Sequence, residues 1–420
     1  MNLLASLEVA IRALLVNKMR SMLTMLGIII GISAVIILIS VGQGVQLMVA
    51  EQMEQVGSNL LFVIPGELES SSTTIKSNFL RSANVSSLTI GDAEAISDGT
   101  NVPAVREVAP EFIGSGTVVY RNRNAQVNVS GVTPGYSIVR SFYPVAGRFI
   151  TGADLETEAR VAVLGQTVVA DLFPLGINPI GETIRINRVP FRVVGVMEEK
   201  GGTGFSDEDD VVFIPLTTAQ SRLFGGRSAS GDYSVSVIYA TAVDEGQVDA
   251  ARDEITRVLR RRHGLLYSTD KDDFSVLTQE DISAVFGSLT AILTGFLGLI
   301  ATISLVVGGI GIMNIMLVSV TERTREIGLR KAVGAKRRDI LVQFLIEAVT
   351  LSLVGGGMGI LIGVIGTVFA SRVIEDLAMS ISPSTVLLAT GFSIVVGMFF
   401  GIYPAIRAAR LNPIDALRYE

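Results

Sequence analysis

Four stretches of the chain carry no charged residue: Ser21–Ala50, Ile282–Thr321, Ala348–Ser371 and Leu377–Ile406, of 30, 40, 24 and 30 residues. Their apolar cores read MLTMLGIIIGISAVIILISV, AILTGFLGLIATISLVVGGIGIMNIMLVSV, AVTLSLVGGGMGILIGVIGTVFA and VLLATGFSIVVGMFFGIYPA. A helix needs roughly 20 apolar residues to cross the hydrocarbon of a bilayer, and buried helices of soluble proteins are rarely this long and this free of charge. The pattern predicts four transmembrane helices. The first run is longer than the apolar region of a signal peptide and no A-x-A site follows it, so it reads as an uncleaved anchor. Forty uncharged residues as one helix reach roughly 60 Å, about twice the hydrocarbon thickness. The second span is therefore expected to extend beyond the bilayer. The first does so too, continuing as VGQGVQLMVAEQMEQVG. Two such continuous rods are suited to carrying motion across a membrane.

Between the first two spans the pattern changes period. AQVNVSGV, RVAVLG, ETIRINRV, FRVVGVM, DDVVFIPL and YSVSVIYA alternate or run apolar over strand lengths, with Gly, Pro or Asn at the breaks. Helical spacing is expected at Ile90–Ile96, Val168–Leu172 and Glu245–Arg262. In the last, Val248, Ala251, Ile255, Val258 and Leu259 share a face, and Arg260, Arg261, Arg262 and His263 suit a helix C-terminus. His263 reads as structural. The Ser/Thr/Asn-rich residues 70–90 read as a loop. The acidic run Asp207, Glu208, Asp209 and Asp210 lacks EF-hand spacing and reads as a solvated loop.

Charge sets the orientation. Arg12, Lys18 and Arg20 precede the first span, seven Lys/Arg lie between spans two and three, and Arg407, Arg410 and Arg418 follow the fourth. Only Arg372 lies between spans three and four. Both termini and the loop between spans two and three are thus expected in the cytoplasm. Glu51–Asp281, with 20 Lys/Arg against 31 Asp/Glu, is expected outside. An acidic outer domain argues against nucleic-acid binding, and the basic inner rim suits anionic lipid headgroups or an acidic partner.

Composition narrows the chemistry. Hydrophobic residues make up 49% and charged residues 18% of the chain, too few charges for a soluble protein. There is no Cys and a single His, which excludes disulfides, thiolate metal sites, thiol catalysis and a His-rich metal site. No Gly-Lys pair occurs, so there is no Walker A phosphate loop. No catalytic residue and no metal ligand is expected, and no cofactor on this chain. Glycines spaced by four, Gly27/Gly31, Gly355/Gly359/Gly363 and Gly397/Gly401, mark faces where helix backbones approach closely, within one chain or across a dimer. The cores of spans one, two and four lack ionisable groups, which argues against an ion-coupled carrier. Glu347 reads as a residue near the start of span three.

The loop TERTREIGLRKAVGAKRRDIL holds the strongest signal. Glu326 and Arg330 form an i,i+4 pair in the favourable order. Leu329, Ala332 and Val333 make a small apolar stripe, and Gly334 is placed to end a helix. The segment Thr321–Ala335 resembles the signature loop of MacB-like and FtsX-like ABC transporter permeases. The resemblance extends to ALLVNKMRSMLTMLGIIIGISAVI, to RVAVLGQTVVADLF, NPIGETIRINRVPFRVVGVMEEKG and DDVVFIPLTTAQ of the outer domain, and to the ending YPAIRAARLNPIDALRYE.

The resemblance implies an α-helical membrane protein with four transmembrane helices and an α+β extracytoplasmic domain of porter-like and smaller subdomains. The implied organisation is a cytoplasmic amphipathic segment at 1–20, span one at 21–50, and the outer core domain at 51–281. Span two then covers 282–320, a coupling loop 321–339, span three 340–371, an outer loop 372–383, span four 384–406 and a cytoplasmic tail 407–420. By match to the motif, Glu322, Arg323, Arg325, Glu326, Ile327, Leu329, Arg330, Ala332 and Gly334 would contact an ABC ATPase that carries ATP and Mg. The partners implied are that ATPase, a second permease chain forming a homodimer, and an adaptor protein, in a bacterial inner membrane. ATP-driven motion of the first two helices would move the outer domains, a scheme called mechanotransmission. The name-giving relative carries its ATPase ahead of the first span, so this chain is expected to resemble split members with a separate ATPase. An FtsX-like regulator of an outer hydrolase or a lipoprotein-release permease shares the fold. A ligand sensor without an ATPase would leave the loop unexplained, and an intramembrane hydrolase lacks polar residues at depth.

Overall fold

The computed structural model describes residues 18–56, 59–66, 87–174, 176–203, 206–225, 231–266, 272–373 and 381–417. Most of the loop expected at 70–90, the first seventeen residues and much of the 372–383 connection lie outside these. In chain order the principal elements are α1 (Lys18–Val56), β1 (Leu60–Pro65), α2 (Ile90–Ser97), β2 (Val105–Tyr120), β3 (Arg123–Val132), β4 (Pro144–Gly147), β5 (Val161–Leu164), α3 (Gln166–Leu172), β6 (Thr183–Ile186), β7 (Val189–Met197), β8 (Val211–Pro215), β9 (Val237–Ala242), α4 (Val248–Arg262), β10 (Phe274–Thr278), α5 (Gln279–Glu322), α6 (Thr324–Ala332), α7 (Arg337–Val373), α8 (Pro383–Arg410) and α9 (Pro413–Leu417). The chain divides into a helical unit, residues 1–48 with 289–420, and a β-rich unit, residues 49–288.

The β-rich unit is built on one ten-stranded sheet in the order β10-β1-β9-β2-β3-β8-β5-β7-β4, with β6 pairing β2 and β7. β2 is its longest strand at 16 residues and its organising element. Its first half pairs β9 and its second half β3, and Glu111 stands at the changeover, opposite both Val237 and Val132. β2 escapes the sequence pattern because Pro110, Gly114 and Gly116 punctuate it. The glycines have packing reasons: a Cβ at Gly114 would run into the Phe224 ring, and one at Gly116 into Asn187 and Val129. β1, β4 and β10 are also found only in the structure. ETIRINRV is no single strand, because Asn187 and Arg188 turn with φ of 45° and 74° and join β6 to β7 as a hairpin. Turns of that hand fit the twist of paired strands.

Three apolar clusters cover the faces of this sheet. α2 and α4 enclose Leu61, Val63, Ile238, Ala251 and Ile255. α3 covers Val129, Leu164, Phe191 and Ile214. Tyr136, Phe142, Phe213 and Tyr239 lie in a third cluster. Thr89 and Asp92 form a capping box at the start of α2, and Thr151 and Asp154 form another before a short helical turn. At the start of α5, Thr278 N donates to Asp281 and Asp281 N donates back to Thr278 Oγ1. Each box satisfies otherwise orphaned backbone donors.

Two polar groups sit differently from the sequence reading. The acidic run is not simply solvated. Asp209 is buried and accepts from the backbone N–H of Lys200 at 3.1 Å and Gly201 at 2.8 Å. Glu208 pairs with Arg140 at 3.3 Å, and Asp207 accepts from Thr167 Oγ1 at 2.7 Å. Buried carboxylates persist where several donors converge; for Asp209 these come from the nearby Lys200–Gly201 turn, while Arg140 and Thr167 reach its neighbours from far along the chain. Glu347, in turn, lies ten residues inside α7, buried, with Arg323 Nη1 at 3.4 Å.

Among the described residues, four helices are long and apolar enough to cross a membrane: Met25–Met48 within α1, then α5, α7 and α8. The spaced glycines meet partners in the same chain. A Cβ at Gly27 would lie 2.8 Å from Gly308 Cα of α5, and one at Gly31 would meet Leu305. Ile28, Ile32 and Ile36 of α1 fit against Gly355, Gly359 and Gly363 of α7. Gly397 and Gly401 of α8 face Ser352 and Ala348 of α7, and a Cβ at Gly356 would meet both Ser393 of α8 and Ile32 of α1. This is ridge-into-groove packing at four-residue spacing.

Candidate functional site

The segment that joins α5 to α7 is the candidate site. α5 ends at Glu322, one residue separates it from α6, and α6 ends at Ala332. Gly334 stops the helix with φ of 107°, its N–H donating to Lys331 O at 3.1 Å while Ala335 N donates to Arg330 O at 3.0 Å. This left-handed conformation favours glycine. Asp339 accepts from Lys336 N at 3.0 Å at the start of α7.

α6 is two-faced. Thr324, Ile327 and Gly328 are buried, and the Thr324 hydroxyl donates to Val320 O at 3.0 Å. Glu322, Arg325, Glu326, Leu329, Ala332, Val333 and Gly334 are exposed. Of the nine residues expected to form a contact surface, Ile327 is corrected by the fold: it is 1% exposed and belongs to the helical core. Arg323 and Arg330 are half-buried and tied inward, Arg323 to Glu347 and Arg330 to Gln343 Oε1 at 2.7 Å. Arg330 also pairs with Glu326.

Val333, absent from the expected contact set, is 84% exposed and Leu329 58%. A valine that open to solvent beyond a helix end was legible as part of the apolar stripe, but only the fold shows it turned outward. Seven Lys/Arg against three Asp/Glu lie in residues 322–339. An apolar knob of Leu329 and Val333 flanked by Arg325 and Glu326 has no acid–base or nucleophilic chemistry. It suits contact with another protein surface.

Comparison with known proteins identifies the context. The MacB-like periplasmic core domain matches residues 21–258, and the FtsX-like permease C-terminal domain matches residues 298–413. The chain belongs to the MacB-like, FtsX-like ABC transporter permease family. The macrolide export ATP-binding/permease protein MacB of Bdellovibrio bacteriovorus is 40% identical over 415 residues, covering 97% of this chain and 61% of that protein. Its namesake from Chlorobaculum tepidum is 41% identical over 411 residues, covering 98% and 61%. This chain thus spans about 60% of the length of these MacB relatives. The crystal structure of the periplasmic region of MacB from Actinobacillus actinomycetemcomitans aligns over 56% of this chain and 96% of its own, at 24% identity and a TM-score of 0.45. As a MacB-like permease with four apolar helices, this is a multi-pass membrane protein.

Proposed function

We propose that this chain is the permease component of a MacB-like ABC exporter whose α6 seats a cytoplasmic ATPase. That ATPase is not among these 420 residues and brings its own ATP and Mg. In this reading two copies of the permease pair in a bacterial inner membrane, with both termini and α6 on the cytoplasmic side. ATP-driven closure of the ATPases moves α1 and α5 and through them the β-rich unit, and an adaptor protein engages that unit outside. The observation that carries the reading is α6 itself: a nine-residue helix whose inner face is locked to the helical core and whose outer face presents Leu329 to solvent, with Val333 exposed just past its end. An exposed apolar pair on a short helix is suited to docking against a partner surface.

Export is the activity named for the MacB relatives, and macrolides are the substrate class tested first. The decisive experiment is co-expression with an ABC ATPase from a neighbouring open reading frame, followed by ATP hydrolysis on the detergent-purified complex. The expected result is a stable complex whose hydrolysis changes in Glu326→Lys and in Val333→Asp, with membrane insertion intact. Parental coupling in both variants would overturn the assignment of α6. A chain that binds no ATPase would transfer weight to a ligand sensor.

A further inference from the structure

Lys331, in the last turn of α6, reaches the end of α8. Its Nζ donates to Ala409 O at 2.6 Å and to Leu411 O at 2.7 Å. Those carbonyls belong to the end of α8, where the last groups of a helix have no partner within it and the helix dipole presents its negative end. A lysine ammonium there makes charge-assisted hydrogen bonds, stronger than neutral ones. Burial, and then the charge of Arg337, holds the Lys331 pKa below the usual lysine range. One turn earlier, a Cβ at Gly328 would lie 2.8 Å from Ala416 Cβ, so α9 packs directly on the backbone of α6. On its other side α6 is tied to α7 through Arg330 and Gln343.

We infer that Lys331 is a positioning residue that fastens α6 to the C-terminal end of α8, so that α6, the last turn of α8 and α9 move as one piece. Resting on the proposed function, this delivers any displacement of α6 to the fourth apolar helix directly, and not only through α5 and α7. Lys331 takes no part in docking: its donors point inward while Leu329 and Val333 face out. The sequence alone assigns it to the basic rim; its partners are almost eighty residues away in the chain.

The chain has no Cys, so paired nitroxide labels report without background. Labels at Val333→Cys and Ile414→Cys, both exposed, read the distance between α6 and α9 by pulsed electron resonance on the full chain in nanodiscs, with the labelled chain diluted by excess unlabelled chain so that each assembly carries one labelled copy. The expected result is one narrow distance peak in the parent, loss of that peak in Lys331→Met, and its return in Lys331→Arg, which restores donors to the carbonyls. An unchanged peak in Lys331→Met overturns the proposal. Should Lys331→Met fail to yield monodisperse protein, Lys331→Gln is read in the same way, with the same two outcomes.

A second pair, Ser371→Cys and Ser384→Cys, reads α8 against α7 in the complex with the ATPase. Lys331→Met is expected to keep the ATPase bound yet lose the nucleotide-dependent distance change. A parental change in that variant overturns the transmission role. If the parent binds no ATPase, the proposed function fails, while the α6–α9 measurement still decides the fastening.

Discussion

In the helical unit Ile28, Ile32 and Ile36 settle against Gly355, Gly359 and Gly363, and α8 meets α7 through Gly397, Gly401, Ser352 and Ala348. In the β-rich unit the space between layers is filled by Phe191, Phe213, Tyr136, Phe142 and Tyr239. Lipid is as apolar as a leucine side chain, so helices in a membrane gain by bringing backbones close, and glycine permits that. In water the gain comes from burying large apolar surface, which aromatic rings supply. The two units also treat charge differently. The β-rich unit buries Glu111, Asp92 and Asp209 within converging donors, whereas Glu347 is the one buried acid of the described helical unit. It lies where the chain leaving α5 lets Arg323 reach it.

Side-chain insertion at a glycine crossing should strike hardest. Gly27→Leu places carbons against Gly308 Cα and N, both backbone atoms that cannot yield. A loss of about 3 kcal/mol or more is expected, read as thermal unfolding in detergent. Gly357→Ala, on a face with nothing within 4 Å, should stay within about 0.5 kcal/mol. Equal effects at both positions would remove the glycine argument.

The next effect belongs to the β-rich unit. Tyr239→Phe deletes the hydroxyl that donates to Glu111 Oε2 at 2.7 Å. Burial already raises the Glu111 pKa, and an underpaired buried carboxyl should cost about 1–3 kcal/mol. Denaturant unfolding of the full chain followed by circular dichroism measures it.

Smaller still is a pH effect at His263. Its Nδ1 lies 2.7 Å from Asp273 and its Nε2 3.3 Å from Asp92. The hydrogen bond to Asp92, opposed by burial and aided by Asp273, raises its pKa from 6.5 to about 9. A raised folded pKa means the stabilisation is fully present below pH 6.5 and is lost as pH rises through about 9. A decline of about 1–2 kcal/mol is expected over that window, allowing for solvent screening. Asp92 behaves oppositely. Burial works against its ionisation, but bonds from His263, Arg262 and Thr89 overcome this and hold its carboxyl well below the usual range. Its contribution is lost only as pH falls into the acid range. A His263→Gln variant should flatten the alkaline limb, and an unaltered limb would exclude His263 as its source. Least in stability is Glu326→Lys, at an exposed pair, within about 0.5 kcal/mol. Its effect is expected in ATPase coupling instead.

Much of this organisation was legible along the chain. Charge-free runs longer than a bilayer needs have few other solutions, so the four apolar helices followed from length alone. α2, α3 and α4 followed from 3.6-residue spacing, and β3, β5, β7, β8 and β9 from apolar runs. α6 was legible in Glu326/Arg330 spacing and in Gly334, and the loop motif carried the family. β2 was not legible, because its glycines and proline are tolerated only through partners far off in sequence. The buried Asp209 was hidden for another reason: its donors, the N–H groups of Lys200 and Gly201, lie close in sequence, but only the folded loop aims them at the carboxylate.

Local pattern thus determined what depends on a residue and its near neighbours: helix, apolar span, turn and the sign of the charge. Tertiary structure alone decided which glycines meet which isoleucines, that Ile327 faces inward and Val333 outward, and that Lys331 closes on the end of α8. Those outcomes depend on contacts between segments tens to hundreds of residues apart. No local period encodes them, because the free energy of each contact exists only once both partners have been brought together.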